Sequence, residues 1–243
     1  MDLTKKDIDN LNYIYQNNTK TASGNYDSND IQYFLYNNFL LSTDTNLFNL
    51  MFSRQNIINE VLNSNLPGNI IEFGIMKGTF SFQIMKSLLM NGINKNLYLF
   101  DFFEDEINMS SKIEKTQISE IYERINYKRN TTKHFEISAK NIGFKNLHCI
   151  KGNVETTLEP FLLENNSKFC FIYIDVDVEN PTYICLSKIW NRVVKNGIII
   201  IDDYNSQKWG PFYKIDEFLK NKNVIIKNIH NSLNEGLYIK KLD

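Results

Sequence analysis

The fold of this chain is decided by the stretch FCFIYIDVD, residues 169–177, and by its counterpart IIIIDD, residues 198–203. Continuous β-branched and aromatic runs of this kind are typical of strands buried on both faces of a parallel sheet. Each run stops at acidic residues, and the segment between the two runs is long enough for a crossover helix. Ligands of open α/β sheets bind outside the carboxyl ends of the strands, so these acids indicate a ligand site. Carboxylates gathered there suit a hard cation, which suggests a metal-assisted reaction.

Length, composition and charge restrict the class of protein. With 243 residues, of which 42% are hydrophobic, the chain fits one large α/β domain with an N-terminal addition. Its 27 basic and 28 acidic residues leave a net charge of −1, without a long basic run, so we expect no nucleic-acid partner. The N-terminus lacks the apolar core of a signal peptide, and no run approaches the roughly 20 apolar residues of a membrane span. We therefore expect a soluble, cytoplasmic protein with no membrane partner.

The N-terminal quarter differs in pattern from the rest of the chain. Residues 1–30 are polar, which predicts a loosely held arm or the first part of a lid. Apolar pairs recur at near-helical spacing over residues 31–66 and predict two or three helices that end before Pro67. We place the domain boundary there, with an N-terminal arm and helical lid at 1–66 and the main α/β domain at 67–243. The aromatic residues of these helices favour a homodimer or a higher homo-oligomer.

A glycine-bearing turn follows the first predicted strand, residues 69–73, and precedes a helix predicted at residues 80–90. Such a turn lets a ligand approach the backbone closely at a helix N-terminus. Its Glu-x-Gly-x-x-x-Gly spacing differs from the Gly-x-Gly-x-x-Gly of dinucleotide-binding proteins, so a purely structural turn stays open at this point. Asp101, at the end of the second predicted strand, is placed for a pair of ribose hydroxyls and favours a nucleotide-like ligand.

The remaining pattern alternates helices and strands, as expected for about seven strands with helices between the first five. The further predicted elements are an insertion at 104–130 with a helix near 113–125, a helix at 132–142, a strand at 147–150, a short helix or turn at 157–163, helices at 182–194 and 212–219, and a closing antiparallel pair at 224–226 and 236–239.

Five groups of residues carry a resemblance to a known family. They are residues 72–78, 101–104, 151–152, 175–177 with Thr182, and 201–204. In this order they resemble successive motifs of the class I S-adenosylmethionine-dependent methyltransferases, and more narrowly those of the macrocin O-methyltransferase (TylF-like) family. The resemblance covers about residues 47–219. It implies a Rossmann-like, seven-stranded, mostly parallel sheet flanked by helices, with the antiparallel strand in the last hairpin, so that residues 67–243 would form the methyltransferase domain.

The resemblance also implies roles for individual residues. The implied cofactor-binding residues are Glu72, Gly74 and Gly78 at the methionine part of S-adenosylmethionine, Asp101 at its ribose, and Asn153 with Val154 near its adenine. The implied ligands of a divalent metal ion, Mg²⁺ or another cation, are Asp175, Asp202 and Asp203.

The implied reaction is O-methylation of a sugar hydroxyl, on a nucleotide-activated sugar, a surface polysaccharide precursor or a glycosylated natural product. A hydroxyl group holds its proton tightly, so a cation at its oxygen and a carboxylate that accepts the proton would both assist. Asp175 is the first choice as shared metal ligand and base, and Asp177 is the second. Where the family usually has Tyr-Glu-Ser, this chain has Glu179-Asn180-Pro181. This departure predicts an acceptor pocket of its own.

Several alternatives stay open at the level of sequence. The acceptor could be a small phenol or catechol. Functions of other classes are a nicotinamide-dependent sugar oxidoreductase and a non-catalytic cofactor-binding module. An Asn-Pro motif follows the fourth strand too late to favour methylation of DNA or RNA. Asp177 or Asn180 could instead cap the helix that begins near Thr182.

Overall fold

The computed structural model describes residues 45–76, 78–103, 107, 109–124, 131–204, 212–230 and 235–243. The helices are α1 (Thr45–Asn63), α2 (Thr79–Met90), α3 (Lys112–Arg124), α4 (Thr132–Asn141), α5 (Val154–Glu164), α6 (Glu179–Ile189) and α7 (Tyr213–Leu219), with a 3₁₀ turn at Trp190–Arg192. The strands are β1 (Asn69–Phe73), β2 (Leu97–Asp101), β3 (Leu147–Lys151), β4 (Phe169–Ile174), β5 (Val193–Ile201), β6 (Val224–His230) and β7 (Glu235–Lys241).

The seven strands form one sheet in the order β3-β2-β1-β4-β5-β7-β6. Neighbouring strands among β1 to β5 are parallel, whereas β7 is antiparallel to both β5 and β6. Every residue of β4 is buried, as its unbroken apolar sequence predicts for a central strand covered by helices on both faces. The predicted fold class, a Rossmann-like sheet that is mostly parallel and closes with an antiparallel hairpin, is confirmed.

Two element boundaries differ from the prediction. The predicted helix at 182–194 is wrong at its C-terminus, because α6 ends at Ile189 and β5 already begins at Val193. Val193 pairs with Phe169, and the register shifts before the next pair, Phe171 with Ile198. The extra residues of β5 are absorbed in this irregularity, where Asn196 has a φ of 61°. Helix α5 is longer than predicted because the Asn153 side chain accepts a hydrogen bond from the Glu155 amide and caps it.

Helix α1 packs into the same apolar layer as α2. Ile58, Val61 and Leu62 of α1 are buried in one cluster with Phe82 and Met85 of α2 and with residues of the sheet. The predicted arm and the first lid helices lie outside the described residues, and the boundary between 1–66 and 67–243 stays a prediction. Within the described ranges, no helix combines the length and the apolar character needed to cross a membrane.

Candidate active site

The parallel hydrogen-bond ladder continues past the ends of the central strands. The Gly74 amide donates to the Phe100 carbonyl at 2.9 Å, the Asp175 amide to Phe73 at 2.8 Å, and the Asp202 amide to Ile174 at 2.9 Å. The chain therefore leaves β1, β4 and β5 at one edge of the sheet. This brings the glycine turn after β1 beside both acidic strand ends, as the sequence predicts.

Glycine is required at both glycine positions of the turn for a steric reason. Gly74 and Gly78 have φ angles of 79° and 78°, which L residues with side chains rarely adopt. A Cβ on Gly74 would lie 1.8 Å from the Asp175 carbonyl oxygen, and one on Gly78 would lie 2.1 Å from Cε1 of Phe135. The turn is therefore packed directly against the backbone that begins the acidic segment after β4.

The Asp101 side chain, at the end of β2, is hydrogen-bonded to the backbone of this turn. Its Oδ2 accepts hydrogen bonds from the amides of Ile75 at 2.6 Å and Met76 at 3.1 Å, and its Oδ1 accepts one from the Phe103 amide at 3.1 Å. The amide of Gly152 donates to the Asp101 carbonyl at 2.9 Å. The structure thus places Asp101 next to the glycine turn, and it places Asn153 and Val154, at the start of α5, directly after Gly152.

Glu72 is a buried carboxyl group in β1. Its side chain is 1% exposed, and the Ser81 hydroxyl donates to its Oε2 at 2.7 Å. Burial raises the pKa of Glu72 to about 8, although the Ser81 hydrogen bond and the positive charge of Arg54 act in the opposite direction. Glu72 therefore titrates near neutral pH, directly beneath the turn.

Three carboxylates converge at the ends of β4 and β5. One carboxylate oxygen from each of Asp175, Asp177 and Asp203 lies within 4.8 Å of the other two. Asp177 and Asp203 both have left-handed backbones, with φ angles of 66° and 56°, which turn their side chains out of the regular strand direction. Desolvation, followed by the charge of Asp202, raises the pKa of Asp175 well above its usual range. Oxygen donors at this spacing are those that Mg²⁺ prefers.

Asp202 has a different environment from these three carboxylates. Its Oδ2 accepts a hydrogen bond from the Tyr173 hydroxyl at 2.7 Å and an ion-paired one from Nη2 of Arg54 at 3.0 Å. The same Nη2 is 3.7 Å from Oδ2 of Asp175. Of the residues predicted as metal ligands, the structure brings Asp175 and Asp203 together with Asp177. Asp202 is ion-paired with Arg54, which also contacts Asp175.

Sequence reasoning missed Arg54, although the sequence contains a signal for it. Arg54 lies four and seven residues before Ile58 and Val61, so all three share one face of α1, and that face is buried. A basic residue in an apolar stripe predicts a buried acidic partner. The partner itself is 148 residues away, and only the tertiary fold reveals it.

Asn180, in the first turn of α6, links this helix to three others. The Nδ2 of its side chain donates to Glu155 at 3.1 Å, and its backbone N–H donates to Glu114 at 3.2 Å. Nζ of Lys214 donates to its Oδ1 at 2.9 Å. Val178 occupies the cap position of α6, so neither Asp177 nor Asn180 does so, and the capping alternative is wrong for both. Asn180 instead joins α3, α5, α6 and α7.

The described part of the insertion packs beside Asp177. Ile107, Met109 and Ile118 form a small buried cluster with Val178, which directly follows Asp177 in the chain. The position of Asp177 is therefore fixed by the insertion as well as by β4.

The strand order, the glycine turn and the acids at the strand ends together define the class I methyltransferase fold. More specifically, the family model described as macrocin-O-methyltransferase (TylF) matches residues 49–241, and the chain belongs to this family. It is accordingly an S-adenosylmethionine-dependent O-methyltransferase. No curated protein sequence matches it significantly.

Solved structures share the fold at low sequence identity. The O-methyltransferase NovP is 15% identical, with 81% of each chain covered and a TM-score of 0.66. CalS11, described as a TDP-rhamnose 3'-O-methyltransferase of calicheamicin biosynthesis, is 17% identical over 100% of this chain and 97% of its own, with a TM-score of 0.60. An O-methyltransferase from Bacillus cereus in complex with SAH is 14% identical over 96% and 99%, with a TM-score of 0.55.

Proposed function

We propose that this methyltransferase acts on a sugar hydroxyl and uses a divalent cation, Mg²⁺ or a similar ion, held by Asp175, Asp177 and Asp203. The observation that carries the proposal is the convergence of these three carboxylates within 4.8 Å. The macrocin family and the similarity to CalS11, described as a TDP-rhamnose methyltransferase, support a sugar as the acceptor.

The donor set fits a hard cation on physical grounds. Asp203 is 6% exposed, and carboxylates held this close in a partly buried site repel one another unless a positive charge compensates them. Within the described residues, the donors of this cluster are carboxylate oxygens, and two of them come from left-handed backbone positions. When bound, the cation would stabilise the negative charge that develops on the acceptor oxygen and would orient that oxygen.

The cofactor half of the site is assigned to residues around the glycine turn. Gly74 and Gly78 give the turn its left-handed backbone close to Asp175 and Phe135, the methionine part would lie beside this turn, and Glu72 precedes it in β1. Asp101 would bind the ribose hydroxyls, and Asn153 with Val154 would lie near the adenine. Their arrangement around the ends of β1, β2 and β3 supports this assignment.

The chemical step requires one proton acceptor. A lone pair of the acceptor oxygen attacks the methyl carbon, the bond from that carbon to the sulfonium sulfur breaks with its electrons going to sulfur, and the hydroxyl proton moves to a carboxylate. Asp175 is our first choice for this carboxylate, because it directly follows β4 and belongs to the acidic cluster, and Asp177 is the second. The products are a methyl ether and S-adenosylhomocysteine.

The acceptor pocket is assigned to the elements joined by Asn180. Helix α3 of the insertion, the start of α6 and helix α7 lie on the acidic side of the site and are held together by this residue. They carry the sequence in which this chain departs from the usual family motif. Differences in acceptor choice would therefore arise here.

A cytoplasmic location and a homo-oligomeric state stay predictions.

The test is methyl transfer from labelled S-adenosylmethionine to a panel of nucleotide sugars, with Mg²⁺ or with a chelator. We expect transfer to at least one sugar and its loss on chelation, with recovery when Mg²⁺ is restored. Transfer to a catechol and to none of the sugars would contradict the sugar proposal. Full transfer in the chelator would contradict the metal proposal while leaving the sugar proposal intact.

A further inference from the structure

One carboxylate, that of Glu155, is hydrogen-bonded to three separate segments of the chain. Glu155 lies in the first turn of α5 and is half-buried. Its Oε2 accepts hydrogen bonds from the backbone N–H of Ser110 at 3.0 Å, from the Ser110 hydroxyl, and from Nδ2 of Asn153 at 3.1 Å. Its Oε1 accepts one from Nδ2 of Asn180 at 3.1 Å. The carboxylate therefore joins the insertion just before α3, the cap of α5 and the first turn of α6.

These donors hold the Glu155 carboxylate in its charged form. Burial by itself would raise the pKa of Glu155, but the hydrogen bonds from Ser110, Asn153 and Asn180 outweigh it and lower the pKa. Hydrogen bonds to an ionised acceptor are stronger than those between neutral groups. Because all the donors share one side chain, a movement of any one segment alters the hydrogen bonds of the other two.

The insertion depends on such polar contacts because it buries little apolar surface. Among the described side chains of α3, Ile118 is the only buried one, and it belongs to the small cluster that contains Val178. The hydrogen bond from the backbone N–H of Asn180 to Glu114 adds to this attachment. A segment with few buried apolar contacts opens locally at low free energy. Each hydrogen bond to the insertion therefore contributes a large share of its order.

The cap of α5 connects the Glu155 carboxylate to the cofactor half of the site. Oδ1 of Asn153 accepts a hydrogen bond from the backbone N–H of Glu155 at 2.9 Å, while its Nδ2 donates to the Glu155 carboxylate. The Asn153 side chain is thus bonded to Glu155 through both of its polar atoms. A ligand that fixes Asn153 therefore also restricts the rotation of the Glu155 side chain.

We propose that Glu155 is a positioning residue through which a bound cofactor orders the insertion and the start of α6. The inference rests on the cofactor assignment proposed above, which places Asn153 and Val154 near the adenine. It gives the two substrates an order: S-adenosylmethionine binds first and completes the acceptor side, because both sides share one carboxylate.

Hydrogen exchange with S-adenosylhomocysteine as the ligand tests the inference without reference to activity. Amide exchange is followed by mass spectrometry in the wild type, Glu155→Ala and Glu159→Ala, each with and without the ligand. Alanine at position 155 removes the carboxylate but keeps the backbone N–H that the Asn153 side chain caps. Glu159 lies on the same helix and pairs instead with Lys188, so Glu159→Ala is the matched control.

In the wild type and in the control, the ligand should slow exchange at residues 152–156 and also at residues 110–118. We expect the slowing at 110–118 to be at least about fivefold, as is usual for coupled sites. In Glu155→Ala it should fall below about twofold, because the insertion no longer shares a carboxylate with the cap of α5. The slowing at 152–156 should be retained.

The two exchange ranges separate failure of the inference from failure of the cofactor assignment. If Glu155 only stabilised the fold, Glu155→Ala would speed exchange at 110–118 equally with and without the ligand, and this result would overturn the inference. Slowing at 152–156 with none at 110–118 in the wild type would overturn it too, and would leave the cofactor assignment intact. No slowing at 152–156 would overturn the assignment of the adenine and the inference together.

A second variant leaves α5 untouched. Folding of each variant is checked by circular dichroism and thermal unfolding. Ser110→Ala removes the hydroxyl donor to Glu155 and keeps the backbone N–H. It should reduce the ligand-induced slowing at 110–118 at least about twofold and leave that at 152–156 unchanged. If Glu155→Ala does not fold, undiminished slowing at 110–118 in Ser110→Ala overturns the inference by itself.

Discussion

The two halves of the site are built from different interactions. Around β1 and β2, the glycine turn is held by its own backbone and by amides that donate to one carboxylate, that of Asp101. Around β4 and β5, four aspartates gather, and the buried guanidinium of Arg54 is ion-paired with two of them, Asp175 and Asp202. The first half tolerates little change of shape, and the second half little change of charge. Substitutions that alter one property at a time should therefore separate cofactor binding from chemistry.

The largest effect is expected from Gly74→Ala, which changes only shape. The added Cβ would meet the Asp175 carbonyl oxygen at 1.8 Å, and the φ of 79° is strained for alanine. We expect a loss of more than about 3 kcal/mol in the free energy of unfolding, or no folded protein. Urea denaturation followed by circular dichroism measures it.

Gly92→Ala is the matched control for this substitution. Gly92 also has a positive φ, 61°, but nothing lies within 4 Å of its ideal Cβ. Its replacement should be destabilising by only about 1 kcal/mol, from backbone strain alone. Equal losses in the two variants would show that the close contact with Asp175 is unimportant.

Asp175→Asn tests the charged half through the rate of methyl transfer. Replacing the proton acceptor by a neutral amide of the same size should lower the single-turnover rate by about 10²–10⁴-fold. The affinity for S-adenosylmethionine, measured by calorimetry, should change little because our proposal assigns Asp175 to the acceptor and not to the cofactor. The exposed pair of Glu159 and Lys188 supplies the control, since Glu159→Gln makes the same chemical change on α5. A rate near that of the wild type would remove Asp175 from the chemistry.

Asp101→Asn should weaken cofactor binding and leave the rate of methyl transfer largely unchanged. The amide keeps the shape of the side chain but has only one acceptor atom for the Ile75, Met76 and Phe103 amides and for the ribose. We expect the dissociation constant for S-adenosylmethionine to rise about tenfold, with the rate at saturating cofactor largely retained. Calorimetry and single-turnover kinetics on the same preparation check both. A lowered rate with unchanged affinity would contradict the assignment of Asp101 to the cofactor.

The last prediction concerns how stability changes with pH and depends on Glu72. Burial raises its pKa to about 8 in the folded chain, above the usual value of a glutamic acid, so the folded state binds more protons between these two values. Stability contributed by protonated Glu72 is therefore present at low pH and is lost as pH rises through this window. Glu72→Gln should flatten this decline. Urea denaturation at several pH values inside and above the window measures the free energy of unfolding. If its dependence on pH were the same in Glu72→Gln as in the wild type, the raised pKa of Glu72 would be contradicted.

Much of the architecture was predictable from local patterns. Unbroken apolar runs predicted β1, β2, β4 and the second half of β5, because a strand buried on both faces needs apolar residues at every position. The start of β5 was not predictable, since Val193 pairs with Phe169 only after a shift of register that no local pattern records. The capped start of α5 was visible in the sequence as Asn153 followed by Glu155, but its length depended on packing.

The sequence predicted which aspartates belong to the candidate site, but only partly which of them lie together. Residues at strand ends follow from topology, so the aspartates after β4 and β5 were expected at one edge of the sheet. Two adjacent aspartates cannot be told apart by spacing alone. Asp202 and Asp203 separate because Asp203 has a φ of 56°, whereas Asp202 remains within reach of Tyr173 and Arg54.

The sequence alone determined the sheet, the glycine turn and the family, because these depend on apolar periodicity and on short motifs whose residues are neighbours in the chain. Only the tertiary structure decided which carboxylates share a site and which one is held by an arginine from α1. The pair of Arg54 and Asp202 joins residues 148 positions apart, and the clustered carboxylates come from the ends of two different strands. Electrostatic energy depends on distance and burial in space, and neither can be read from the order of residues.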